Sequence, residues 1–200
     1  MSDIEYFMSI MSPWSYLGSA RFSELAAKSG RNVVIHPMNV GEVFANSGGL
    51  PLPKRHPKRQ AYRLVELARW KDELGMDKMV IEPDNFPAND ANGGKMIAAA
   101  KLRGDDAVAL AHHYMAGLWE RDLPTSQMET LIELANEIGL DGAALAADTE
   151  TEAVAEEIEQ NTKIALEKGV FGMPWYIIDG TPYWGQDRIQ FVAKALRQSL

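Results

Sequence analysis

Apolar and polar positions change period several times along the chain. Residues 4–8 form a short apolar run of strand formers that breaks into Ser12-Pro13. Ser12 suits a helix N-cap and Pro13 the first helical position, where its missing N–H would be unpaired anyway. Leu17, Ala20 or Arg21, Leu25 and Ala26 then keep a helical period to Gly30, a plausible stop. Val33-Val34-Ile35 reads as a buried strand ending near His36-Pro37, so the first forty residues predict strand, helix, strand with a right-handed crossover.

From Gly41 the character changes. Residues 48–53 read as a loop, and residues 60–74, 93–104, 107–121 and 126–138 each carry apolar positions at three and four spacing. Residues 77–92, with Pro83 and Pro87, are the longest irregular stretch, a length more often functional than not. A helix over 151–168 closes at Gly169. Residues 175–178 are a strand, Asp179-Gly180 a two-residue hairpin turn, and residues 181–184 a returning edge strand, because Pro182 cannot donate to a ladder. Gln186-Asp187 opens a last helix with Ile189, Val192 and Leu196 inward. The pattern predicts a discontinuous α/β domain over 1–40 and 151–200, interrupted by an all-α insertion over 41–150.

Composition narrows the chemistry. The 200 residues are 46% apolar and 24% charged, ordinary for a globular chain that can bury a core without staples. A net charge of −8 argues against nucleic acid or an anionic membrane as the main partner. No window approaches a membrane-spanning run, and residues 1–5 lack a secretory pattern, so the expected address is cytoplasmic. There is no Cys, which excludes disulfides, thiolate metal sites and a cysteine nucleophile. Any sulfur chemistry must use sulfur brought from outside.

Three segments could carry chemistry. A Ser12 hydroxyl at a helix start sits among unpaired N–H groups and the positive end of the helix dipole, a site that favours an anion such as a thiolate. The same serine also serves as a simple cap. Met173-Pro174, directly before a strand, is a candidate cis bond, the alternative being a trans loop proline. Cis geometry would turn the Met173 N–H and C=O outward toward an extended ligand. In Trp184-Gly185-Gln186-Asp187-Arg188, an acidic side chain beside free N–H groups could hold an amino-acid end of a ligand, or only cap the helix and pair with Arg188.

These motifs, in order, resemble the 2-hydroxychromene-2-carboxylate isomerase family: Ser-Pro-aromatic-Ser-aromatic-Leu-Gly from Ser12, Asn161-Thr162 with Ala165, Gly-Val-Phe-Gly-x-Pro from Gly169, and Trp-Gly-Gln-Asp-Arg from Trp184. That family is related to kappa-class glutathione transferases within the DsbA-like thioredoxin superfamily, and the likeness runs essentially end to end. It implies a thioredoxin-like (DsbA-like) fold with the helical insertion, glutathione as cofactor and a small aromatic substrate in aromatic catabolism. It also implies a homodimer. Ser12-Pro13-Trp14-Ser15 takes the place of the thioredoxin-type Cys-x-x-Cys, so disulfide exchange by the protein itself is excluded. The resemblance makes Ser12 the donor to the glutathione thiolate and Met173 the partner of its cysteinyl backbone. Gln186 and Asp187 would hold the γ-glutamyl end with Trp184 alongside, and Arg59 would be an anion contact. On the substrate side it points to Lys58 and Asn89, with Lys58, Arg59 and Arg188 as cations for a carboxylate. Ala45 and Gly49-Leu50 depart from the family pattern at positions associated with the aromatic substrate, which leaves the substrate open.

Other signals are decoys. Gly93-Gly94-Lys95 lacks the first glycine and the Ser/Thr of a phosphate loop. His112-His113 are adjacent, so they diverge on a helix and cannot make an i,i+4 metal pair. No Gly-x-Ser-x-Gly supports serine hydrolysis. Three function classes are expected from this reading: a glutathione-dependent cis-trans isomerase acting by thiolate addition, rotation and elimination; a kappa-like glutathione transferase or peroxidase; and a thioredoxin-fold module that binds a thiol or peptide without turnover.

Overall fold

A computed structural model describes residues 2–198. Strand β1, Ile4–Phe7, pairs in parallel with β2, Val33–His36, through helix α1, Pro13–Ser29. Helix α1 starts because the Ser12 hydroxyl accepts from the Ser15 N–H at 3.2 Å and Pro13 occupies the first position. It stops because Gly30, at φ 65°, takes the left-handed conformation a side chain would resist. Strand β3, Trp175–Ile178, runs antiparallel to β1 on its other side, and β4, Thr181–Trp184, returns from it. Asp179 and Gly180 both have positive φ, 50° and 79°, as a two-residue primed turn demands. The order is β2-β1-β3-β4, and Pro182 sits on the edge strand.

Alternation along these short strands buries both faces of the sheet. Ile4, Tyr6, Ile35, Tyr176 and Ile178 face α1, where Tyr6 stacks on Tyr176 at 5.3 Å and Phe22 lies 4.6 Å from each ring. Phe7, Trp175 and Ile177 face the opposite layer with Val40, Val43 and Ala165. That layer is helix α2, Val40–Ser47, and a later helix over Glu152–Glu167. The eight-residue α2 is absent from the periodicity reading, which marks only a change of character at Gly41 and a loop over residues 48–53; it exists because Asn39 accepts from the Glu42 N–H at 3.2 Å and Val40 and Val43 find the sheet.

The intervening helices are α3, Pro57–Glu73; α4, Ala91–Arg103; α5, Ala107–Trp119; α6, Met128–Glu137; and α7, Gly142–Asp148. The one over Glu152–Glu167 is α8, and α9, Ile189–Ala195, closes the chain. The seven-residue α7 also escapes periodicity, and α3 begins three residues earlier than its apolar spacing suggests because Pro57 opens it. Buried residues of α4 and α5, including Met96, Leu110, Tyr114 and Trp119, join the same apolar cluster as Ile4 and Tyr6. Insertion and sheet therefore share a core. Asn161 and Thr162, part of the motif set, hold the fold together. Asn161 bonds the His36 ring at 2.9 Å and the Pro37 carbonyl, and the Thr162 hydroxyl accepts from the Asn39 N–H. They lock α8 to the end of β2.

The long stretch before α4 is irregular but anchored. The Asp122 carboxylate accepts from the N–H groups of Asp84 and Asn85 at 2.9 Å each, and Val80 donates to the Trp119 carbonyl at 2.7 Å. This fixes Phe86, Pro87 and Asp90 against the sheet domain; the Phe86-Pro87 bond is cis. Among the described residues no helix is long and apolar enough to cross a membrane.

Candidate functional site

A cavity of about 360 Å³ opens where the start of α1 meets the insertion. One end is built by Ser12, Trp14, Phe171, Gly172, Met173 and Trp184; the other by Phe44, Leu52, Arg55, Arg63, Phe86 and Asp90. At the first end the Ser12 hydroxyl donates to the Met173 carbonyl at 3.3 Å, a long contact. Met173-Pro174 is cis. Neither the Met173 N–H nor the Trp14 N–H has a protein acceptor among the described residues. The Ser12 hydroxyl thus stands beside Met173 at the N-terminus of the 17-residue α1, a helix end that favours negative charge. Ser15 is fully buried behind it.

The wall beside Met173 is aromatic. Phe171 meets Trp184 edge-on at 4.7 Å and Trp175 at 4.9 Å, and Trp184 remains 51% exposed. Gly172 lets the indole come close: a Cβ there would lie 2.7 Å from its Nε1.

The other end is cationic. Arg63 lies over the Phe86 ring at 5.0 Å and the Trp119 ring at 6.0 Å, and its Nη2 is buried without a hydrogen-bond partner. Burial, with Arg55 nearby, pushes Arg63 down to about 10. Burial also lowers Arg55, whose Nε donates to the Leu50 carbonyl at 2.7 Å. Asp90 receives the Ser9 hydroxyl at 2.5 Å, and burial raises its carboxyl above the ordinary range.

Of the residues singled out from the sequence, Ser12, Met173 and Trp184 stand together on the cavity wall. Gln186 lies behind it, 2% exposed, with its amide oxygen accepting from the Arg21 guanidinium. Asp187 is exposed in the turn just after Gly185 and accepts from Arg188 at 2.5 Å. Lys58 and Arg59 are exposed at the start of α3, off the cavity wall. Asn89 is exposed too, accepting from the Ala91 N–H at 3.0 Å. The cavity uses their neighbours: Arg55 three residues before Lys58, Arg63 in the second turn of α3, and Asp90 beside Asn89. The Arg55–Arg63 pair had one legible signal, an eight-residue spacing across a helix start, which apolar periodicity ignores.

A wider groove of about 790 Å³ lies between α1, β2 and the α4–α5 junction, and three of its charged or titratable side chains are committed. Arg31 pairs with Asp179, Lys101 with Glu157, and the His112 ring with Ser19. His113 points to Glu137 instead, so the two histidines diverge, and no cluster of metal-ligating side chains exists among the described residues.

With this geometry in place, comparison with known proteins is decisive for the family. A DSBA-like thioredoxin domain model matches residues 3–197. The chain belongs to the DSBA-like thioredoxin family. It is 27% identical over 199 residues to a 2-hydroxychromene-2-carboxylate isomerase of Sphingobium xenophagum, covering 96% of this chain and 97% of that one. It is 22% identical over 209 residues to human (Homo sapiens) glutathione S-transferase kappa 1, covering 96% and 90%. Among solved structures, a 2-hydroxychromene-2-carboxylate isomerase superposes with a TM-score of 0.80 at 23% identity over 97% of this chain and 94% of that one. A cytosolic disulfide reductase, DsbM of Pseudomonas aeruginosa with GSH, gives 0.66 at 16% identity over 98% and 99%. The thioredoxin-like sheet interrupted by helices is thus the fold of this DSBA-like family member.

Proposed function

We propose that this protein is a glutathione-dependent cis-trans isomerase acting on a small aromatic, unsaturated carboxylate. The observation that carries the reading is the meeting, in a chain with no Cys, of the Ser12 hydroxyl at the start of α1 with the Met173 backbone before a cis proline. The site is an anion seat that lacks a thiol of its own. The residues fit glutathione: Ser12 and the helix start face a thiolate, the unpartnered Met173 N–H offers a backbone partner for the cysteinyl unit, and Trp184 and Asp187 flank the route toward its γ-glutamyl end. The named isomerase relatives and the solved relative with GSH support the same reading.

When bound, glutathione supplies a thiolate that adds to a conjugated alkene and leaves after rotation about the resulting single bond, so it is regenerated. The protein itself would hold that sulfur as an anion at the Ser12 hydroxyl and the start of α1, with Phe171 and Trp184 forming the aromatic wall of the same cavity. Anion stabilisation here needs no proton on Ser12 to be lost: its O–H turns from the long Met173 contact to the sulfur.

The kappa relative favours a second reading, glutathione transfer to an electrophile. Steady-state turnover separates them. The isomerase reading expects conversion of 2-hydroxychromene-2-carboxylate that requires glutathione and does not consume it. Turnover of chlorodinitrobenzene with stoichiometric thiol loss, and none with the chromene, replaces it with the transferase. Glutathione binding without either activity leaves a non-catalytic thiol-binding module.

A further inference from the structure

Besides Ser12 and Met173, the cavity is lined by two arginines. Arg55 and Arg63 both face the cavity, and neither has an ion-pair partner among the described residues; Glu82 acts on Arg63 only at a distance. The Arg63 Nη2 is buried with no acceptor among the described residues. A half-buried guanidinium without a counter-charge is costly, and a chain of net charge −8 has carboxylates to spare for it. Instead Arg63 is held in place by Phe86 and Trp119, which are themselves packed at 5.2 Å. Arg55 is steadied through its Nε by the Leu50 carbonyl, which leaves its terminal nitrogens for a ligand. Two guanidinium forks in a cavity also lined by the Phe44 and Phe86 rings match a planar acid, since guanidinium recognises carboxylate with two parallel bonds. Arg63 lies toward the side away from Ser12 and Met173: with Leu52, Phe86 and Pro87 it forms the wall shared with the adjoining groove, which contains neither.

We propose that Arg55 and Arg63 seat the carboxylate of the aromatic substrate, with its ring against Phe44 and Phe86, and so select for acids. As to which molecule occupies the cavity in turnover, this rests on the isomerase reading; the seat itself is testable without it.

Cinnamate, a planar aromatic acid, and its neutral amide are the probes, titrated by calorimetry into the wild type, Arg63→Met, Arg63→Lys and Arg55→Gln. Cinnamate is expected to weaken about tenfold or more in Arg63→Met and Arg55→Gln, and less in Arg63→Lys, the loss of a charged hydrogen bond. Cinnamamide binding and glutathione affinity should stay unchanged in all of them. Because the lost charge is unpaired, Arg63→Met should melt at or above the wild-type temperature, which a merely structural arginine would not do. Failure of the wild type to bind cinnamate overturns the seat, as does equal cinnamate affinity in Arg63→Met and Arg55→Gln to that of the wild type. A loss of glutathione affinity in place of cinnamate affinity also overturns it, reassigning the arginines to the thiol's own carboxylate. If Arg63→Met does not fold, Arg55→Gln, on the loop before α3, decides. Absence of chromene turnover with cinnamate still bound through the arginines rejects the isomerase reading and keeps the seat.

Discussion

Replacing Ser12 by alanine separates a helix cap from a thiolate donor, because the structure assigns its oxygen two different bonds. As an acceptor it takes the Ser15 N–H at 3.2 Å; as a donor it makes only the long 3.3 Å contact with Met173. Loss of the cap costs about 0.5–2 kcal/mol, or roughly 1–8 °C in Tm for a chain of this size. The donor bond costs little to give up in the free protein, so nearly its full strength is available to a bound thiolate. A hydrogen bond to a charged group is worth about 1.5–3 kcal/mol, which is roughly one to two pKa units on the thiol. Ser12→Gly sharpens the comparison: as a cap, glycine costs only a few tenths of a kcal/mol, yet it lacks the hydroxyl just as alanine does. The assay is the thiolate ultraviolet absorbance of bound glutathione against pH. Both variants should titrate one to two units higher than the wild type while differing from each other in Tm. Superimposable titrations in all three proteins would refute the donor role and leave acidity to the Trp14 N–H and the helix start.

Other perturbations follow from the same contacts. Glutathione at about a hundredfold excess over Kd should add about 2.7 kcal/mol to stability, seen as a rise in Tm, and Asp187→Ala should shrink that rise; equal shifts remove Asp187 from the binding surface. Gly172→Ala places a Cβ 2.7 Å from the Trp184 indole, so glutathione affinity should fall and indole fluorescence shift without loss of the fold; unchanged spectra would mean the ring yields freely. Burial holds His36 and His112 below the ordinary histidine range. The unfolded chain protonates first near pH 6.5, so stability is present above that value and is lost as pH falls toward the folded values. Tm should therefore drop as pH falls below about 6.5, less so in His36→Gln, and a flat profile would contradict the burial argument.

The strands, α1 and the hairpin were legible because their signals are local. Ser12-Pro13 and Gly30 bracket a helix by capping chemistry, and Asp179-Gly180 encodes a turn that only positive φ permits. Helices α2 and α7 were not, since eight and seven residues are too few to establish a period and their burial depends on partners distant in sequence. At the site, the sequence alone marked Ser12, Met173 and Trp184, residues set by caps, a proline and a strand end. It could not rank the basic residues between 54 and 63, because which of them faces a cavity depends on the rotation of α3 against a loop anchored by Asp122, 37 and 38 positions away from the backbone it holds. Tertiary packing made that choice: it left Lys58 and Arg59 in solvent, drew Arg63 under Phe86 and Trp119, and committed Gln186 to Arg21. Local chemistry determines where a chain starts, turns and stops; which charge is desolvated is decided only when remote surfaces meet and exclude water.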